Sequence, residues 1–338
     1  MPSAPGAGAS PLRQRSFVLF LLSRILSQGA IQVQTVAVGW QMYELSDSAL
    51  DLGLLGLAGF LPILLLTLPA GHVADAYPRV IVVGLCRLAL GGVVLVLGIG
   101  TLAGWMGREA IFALVATLGV ARAFEMPAQQ ALLPGVVPAA LFPRAVSLST
   151  TCNQLATIGG PALSGSLVAV GGAAAAYLPA AVALLVSAVL AFLIAAPRQA
   201  RVTGVGGAAR FFEGVTFLRT RPVLLGAISL DMVAVLLGAV VALYPVYARD
   251  ILLTGPWGLG LLRAAPAVGA MGMGLLLAWR PLGAGSGRRM FAAVIVFGVA
   301  ITIFALSTSL VLSLAILVAA GAADVVSVVV RQSLVQLG

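Results

Sequence analysis

Long apolar runs dominate the chain. Stretches of about twenty residues with almost no charge recur along its length, parted by short gaps rich in Arg, Asp, Gly and Pro. A bilayer hydrocarbon core about 30 Å thick is crossed by about 20 apolar residues in an α-helix rising about 1.5 Å each. The pattern predicts spans near 17–40, 51–74, 80–101, 110–130, 145–169, 173–196, 223–248, 257–279, 290–308 and 310–334. Strands of a membrane barrel would alternate in polarity over about ten residues; these runs are continuous instead. The expected fold class is an all-α polytopic membrane protein.

The gaps orient the spans. Counting the loop after the first span as gap one, odd gaps hold Glu44, Asp47 and Asp51, then Arg108 and Glu109, then Arg249 and Asp250. The N-terminus and even gaps hold twelve Arg, from Arg13 and Arg15 to Arg288 and Arg289, against two in the odd gaps. Lys and Arg are retained on the cytoplasmic side, so the N-terminus and even gaps are expected there. Trp40, Trp105, Trp257 and Trp279 fall at span ends, where an interfacial aromatic belt belongs. Residues 1–12 read as a disordered N-terminus, 13–196 as a six-helix half, 197–222 as a cytoplasmic linker with an amphipathic stretch around Ala208–Leu218, and 223–338 as a C-terminal half holding spans seven to ten.

Composition narrows the function classes. The 338 residues are 61% hydrophobic and 9% charged, against about 25% charged in soluble domains. The net charge of +9 does not imply a nucleic-acid partner, because the basic residues sit in short loops and not on one face of a soluble domain. All the basic residues are Arg; without Lys there is no phosphate-binding Gly-rich loop, and ATP-driven transport by this chain alone is excluded. The single His and the separated Cys86 and Cys152 offer no metal or haem spacing and no nucleophile with a base. No enzyme activity, cofactor or metal site is expected.

Two offsets, each equal to six spans, reveal an internal repeat. At 207 residues Leu52-Gly53-Leu54-Leu55 falls on Leu259-Gly260-Leu261-Leu262, and at 202 Gly119, Ala121, Gln130 and Leu132 fall on Gly321, Ala323, Gln332 and Leu334. Two parallel, pseudo-symmetric six-helix halves follow. The same offsets place Arg24 on Asp231 and Arg122 on Asp324. A charge in hydrocarbon costs roughly 2.5–3.5 kcal/mol on insertion scales unless it faces a partner or water, so these four are expected to turn inward. Glu125, three residues after Arg122, is expected to pair with it locally. Two readings stay open: static ion pairs between the halves, or a proton and substrate pathway in which Asp231 and Asp324 are the stronger carrier candidates. Arg87 and Arg263 read as snorkelling residues, and His72 as a helix-end residue. Gln32 and Gln34 on span one and Asn153 and Gln154 on span five are candidate polar contacts.

Three motifs resemble the major facilitator superfamily. The loop Gly71-His72-Val73-Ala74-Asp75-Ala76-Tyr77-Pro78-Arg79 resembles its gate motif, with Ala76 where the family has Arg. The resemblance implies that Gly71 permits close helix approach and that Asp75 and Arg79 hold a cytoplasmic gate. The run Gly159-Gly160-Pro161-Ala162-Leu163-Ser164-Gly165 resembles the antiporter signature, a helix kink at Gly160, Pro161 and Gly165. The stretches Ala121–Pro134 and Leu230-Asp231 through Leu259–Pro266 resemble the bacterial exporter branch of the enterobactin exporter and macrolide efflux proteins. The resemblance implies a major facilitator fold with about ten of twelve spans present, the last two expected beyond Gly338. It implies proton-coupled export of small amphipathic molecules, siderophore- or drug-like, by a monomer in the bacterial inner membrane. Its partners would be a small-molecule substrate, protons and the lipid bilayer. The alternative is a membrane-embedded scaffold that transports nothing.

Overall fold

The computed structural model describes residues 11–195, 240–279 and 286–337, with the isolated positions 226, 229 and 232. The linker 197–222 and most of the seventh span, Asp231 included, lie outside them. Contacts divide the chain into two units, Met1–Gly207 and Ala208–Gly338.

The first unit is a helical bundle of α1 (Arg15–Ser46), α2 (Ala49–Ala76), α3 (Arg79–Leu102), α4 (Arg108–Val136) and α5 (Phe142–Phe192). Local chemistry sets the helix ends. α2 begins where the Ser48 side chain accepts from the Asp51 N–H at 3.4 Å, an N-cap. It stops at Tyr77 and α4 stops at Val137, both extended and both followed by proline, which pushes the preceding residue out of the helical region. The 51 residues of α5 would run about 77 Å, far more than one crossing. The helix breaks at Gly171 and Gly172, where φ at Gly172 is +70°, a conformation that glycine adopts without steric cost. Two arms result, 142–170 and 173–192, which coincide with the fifth and sixth predicted spans.

α1 packs along α5, α3 along α5 and α4, and α2 along α4. Phe17, Phe20 and Leu21 of α1 close over Leu132, Leu133 and Val136 of α4 and Leu141. α2 presents Leu57, Phe60, Leu64 and Leu65 outward, a face that only lipid tolerates in such density.

In the second unit the described end of the seventh predicted span is not a regular α-helix. It is a 3-10 turn (Val240–Leu243), a short helix (Tyr244–Val246) and a π turn (Tyr247–Ile251). α6 (Gly255–Trp279), α7 (Ser286–Leu306) and α8 (Leu310–Leu337) follow. Tyr247 stacks on Phe304 of α7 at 4.6 Å between ring centroids and donates to the Ala305 carbonyl at 3.1 Å. Among the described residues eight helices are long and apolar enough to cross a membrane; with α5 counted as two crossings, they account for all predicted spans except the seventh.

The repeat seen in the sequence recurs as a packing contact. A Cβ placed on Gly119 of α4 would strike the backbone carbonyl of Gly59 on α2, and one placed on Gly321 of α8 would strike that of Pro266 on α6. Gly59 and Pro266 are 207 residues apart, and Gly119 and Gly321 are 202 apart. Each half thus seats its fourth helix on its second at the same place, through a residue with no side chain, as helices in lipid commonly do. By contrast, a Cβ on Gly71 would meet nothing within 4 Å. The close approach expected at Gly71 is therefore not there; it is at Gly119. Gly119→Ala and Gly321→Ala are each expected to cost about 1–3 kcal/mol, the scale of overpacking, while Gly71→Ala is neutral. Thermal unfolding of the detergent-purified protein checks this, and equal midpoints for all three variants would contradict it.

Candidate functional site

Ionisable side chains inside the first unit gather at one depth. Along an α-helix at about 1.5 Å per residue, Arg24 lies about 14 Å past the start of α1, Arg87 about 12 Å past the start of α3, and Glu125 about 16 Å before the end of α4. These helix ends share a side of the bundle because successive helices alternate in direction.

The centre of the cluster is an ion pair. Arg87 Nε donates to Glu125 Oε1 at 2.8 Å, and both residues are buried, at 2% and 3% exposure. The other two guanidinium nitrogens donate to Gln129 Oε1 at 2.8 Å and to the Ser23 hydroxyl. Ser27 donates to Glu125 at 3.3 Å. Every nitrogen of Arg87 has an acceptor, which makes a charge in low dielectric tolerable. Ser23 and Ser187 then join α1 to the second arm of α5 by reciprocal bonds, each hydroxyl donating to the other's carbonyl at 2.6 and 2.8 Å.

Two expectations are corrected here. Glu125 takes its partner from α3, not from Arg122 on its own helix, because Arg87 arrives across the helix interface at matching depth. Arg87 is not a snorkelling residue but the most buried charge among the described residues of the unit. The signal was present in the sequence: spans three and four run antiparallel, so positions 87 and 125 fall at nearly the same height.

The remaining predicted residues surround this pair or lie apart from it. Arg24 is half-buried, donates to the Ser149 hydroxyl at 2.9 Å, and lies 6.0 Å from the Phe20 ring centre. Its Nε is buried with no partner. Arg122 is half-buried, with no hydrogen bond among the described residues. Gln34 is buried, while Gln32, Asn153 and Gln154 are half-buried. Gly160 faces α1, where a Cβ would come within 2.6 Å of Gln32 Cβ, and Ser164 one turn later donates to the Val33 carbonyl at 2.7 Å. Pro161 and Gly165 are buried beside them, and the backbone stays helical through Pro161. Asp75 is exposed. Among the described residues Arg79 pairs with no acid but donates to the Ala131 carbonyl at 2.7 Å, near the electronegative end of α4. Asp324 is exposed on α8 beside the buried Ala323. Asp231 lies outside the described residues. No cluster of His, Cys, Asp or Glu suited to a metal occurs among the described residues.

A second ion pair sits at the opposite end. Arg108 donates to both carboxylate oxygens of Asp51 at 2.7 and 2.6 Å, tying the start of α4 to the start of α2. The Arg108 side chain is 48% exposed, so this fork is a clamp at the bundle edge and not part of the buried cluster.

Removing one member of a buried ion pair leaves the other uncompensated, at a cost of about 3–5 kcal/mol, whereas replacing both by apolar groups is often neutral. Arg87→Leu and Glu125→Leu are each expected to abolish recovery of folded protein, and the double variant to restore it. Size-exclusion profiles of the solubilised protein read this out, and a double variant no better than either single would refute it.

The geometry can be set against known proteins. Among curated protein sequences nothing matches the chain significantly. A bacterial homologue of the human lysosomal transporter Spinster, solved inward-facing and unoccupied, superposes with a TM-score of 0.72 at 16% identity, over 94% of this chain and 74% of that one. A bacterial homologue of the iron transporter ferroportin, also inward-facing, gives 0.68 at 20% identity, over 97% and 85%. The nucleoside transporter NupG gives 0.65 at 13% identity, over 95% and 83%. These likenesses establish the fold. Residues 6–338 match the family of transmembrane secretion effectors. Multi-pass architecture, repeat and family match agree, and the chain belongs to the transmembrane secretion effectors, a family of major facilitator transporters.

Proposed function

We propose that the chain is a secondary active exporter, moving small amphipathic molecules, siderophore- or drug-like, out of the bacterial cell in exchange for protons by alternating access. The N-terminus lies in the cytoplasm and the monomer is the working unit. One observation carries this reading. Gly119 and Gly321 make the same helix contact in their respective halves, and three residues beyond each stands a charge: Arg122 in one half, Asp324 in the other. Equivalent helices thus carry opposite charges at equivalent positions. Alternating access needs interactions that exist in one state and not in the other, and a carboxylate that leaves a cation can take up a proton in its place. Asp231 and Asp324 suit that role better than Glu125, which is already bonded by Arg87 and Ser27.

The cargoes of the similar structures, iron and nucleosides among them, differ so much that the fold does not name the substrate. Support for export comes from the resemblance of the Gly160-Pro161 helix to the antiporter signature and from its close seating on α1. The test is efflux from proteoliposomes under an imposed proton gradient. Gradient-driven efflux is expected for the full-length protein and is expected to vanish in the Asp231→Asn, Asp324→Asn double variant. Efflux that persists in the double variant removes the coupling role of these carboxylates.

A further inference from the structure

We propose that the substrate is an anion: an apolar body bearing a carboxylate or similar oxyanion, which docks on Arg24 and Arg122. The inference rests on the exporter reading above and deepens it. It starts from a charge count. Among the described residues of the first unit, three guanidiniums stand at mid-helix, Arg24, Arg87 and Arg122, against one carboxylate, Glu125. The other described acids of that unit stand at helix ends: Glu44, Asp47, Asp51 and Glu109 at one side, and Asp75 at the other. Glu125 is bonded to Arg87 at 2.8 Å and offsets one of these charges. Two positive charges remain.

Arg24 shows the shortfall directly. Its only hydrogen bond among the described residues is to a neutral hydroxyl, Ser149, and its Nε is buried without a partner. Arg87 lies close enough to repel it. A guanidinium cannot relieve this by losing its proton. Arg122 is half-buried, and it shares the nearby opposite charge, Glu125, with Arg87, which is bonded to it. Surplus positive charge at this depth attracts an anion and repels a cation. The guanidinium fork matches a carboxylate or phosphate with two parallel bonds, and the unmet Nε is one prong of such a fork. Half-burial leaves both groups reachable, unlike Arg87. The apolar surface beside them, Phe20 under Arg24 among it, suits the body of an amphiphile. The competing counter-ions are the repeat-equivalent Asp231 and Asp324, which would make the two arginines fixed structural partners.

The experiment uses cells stripped of their own broad exporters and expressing the full chain. They are loaded with matched triples built on butylphenyl, naphthyl and steroid bodies, each bearing a carboxylate, a carboxamide or a primary amine. The carboxylate member is expected to be exported fastest. Arg24→Gln and Arg122→Gln are each expected to slow its export about tenfold while changing export of the amide less than twofold. Arg24→Lys and Arg122→Lys, which keep the charge, restore at least half the rate and show that the Gln variants did not act through misfolding. Faster export of the amine or the amide overturns the anion assignment and leaves the exporter reading standing. Equal loss of all three members in the Gln variants, without rescue by Lys, also overturns it, since that is the signature of a structural ion pair. Export of none of the compounds overturns the exporter reading itself.

Discussion

A charge inside a bilayer must be met by another charge, by hydrogen bonds or by water, and in this chain the Arg87–Glu125 pair is where that requirement organises the bundle. It draws donors or acceptors from α1, α3 and α4, and Ser23 passes the connection on to the second arm of α5. Such a pair adds little net stability over well-packed apolar residues. What it contributes is position: with three nitrogens each committed to a different acceptor, the helices that carry them have one mutual height and rotation that satisfies all of them.

Packing supplies the second constraint. Apolar side chains gain nothing by leaving lipid for each other, so helices in a membrane hold together through close van der Waals contact. The chain places its small residues accordingly. Gly160 and Ser164 bring the first arm of α5 onto α1, and Gly119 and Gly321 bring the fourth helix of each half onto the second. The repetition of that contact at offsets of 207 and 202 residues makes the internal repeat a matter of backbone geometry and not only of matching letters.

Fold and function part company at this point. The same helical scaffold carries transporters whose names speak of iron and nucleosides, and the scaffold has no stake in the difference. What distinguishes this chain is the chemistry left over once the structural pairs are formed. Asp51 and Arg108 satisfy each other at one edge, and Arg87 and Glu125 satisfy each other in the middle. Arg79 is spent on a backbone carbonyl. Arg24 and Arg122 are the cations of the first unit's interior whose charge these pairs do not meet.

Span positions other than the seventh were legible from the chain alone, because the length of an apolar run is a one-dimensional property that a bilayer of fixed thickness reads directly. Helix ends were less legible: hydropathy placed them at 74 and 130, whereas α2 and α4 run on until the prolines after Tyr77 and Val137 stop them, and α5 breaks at Gly171-Gly172. The repeat was legible too, since it is written in residue spacing. Partner choice was not. The sequence offered Arg122 to Glu125 at one helical turn, yet the pair forms with Arg87, because which side chains meet depends on the height and rotation of two different helices. For the same reason Gly71 carries no close contact while Gly119 does. A glycine permits approach, but only the arrangement of the neighbouring helix decides whether anything approaches.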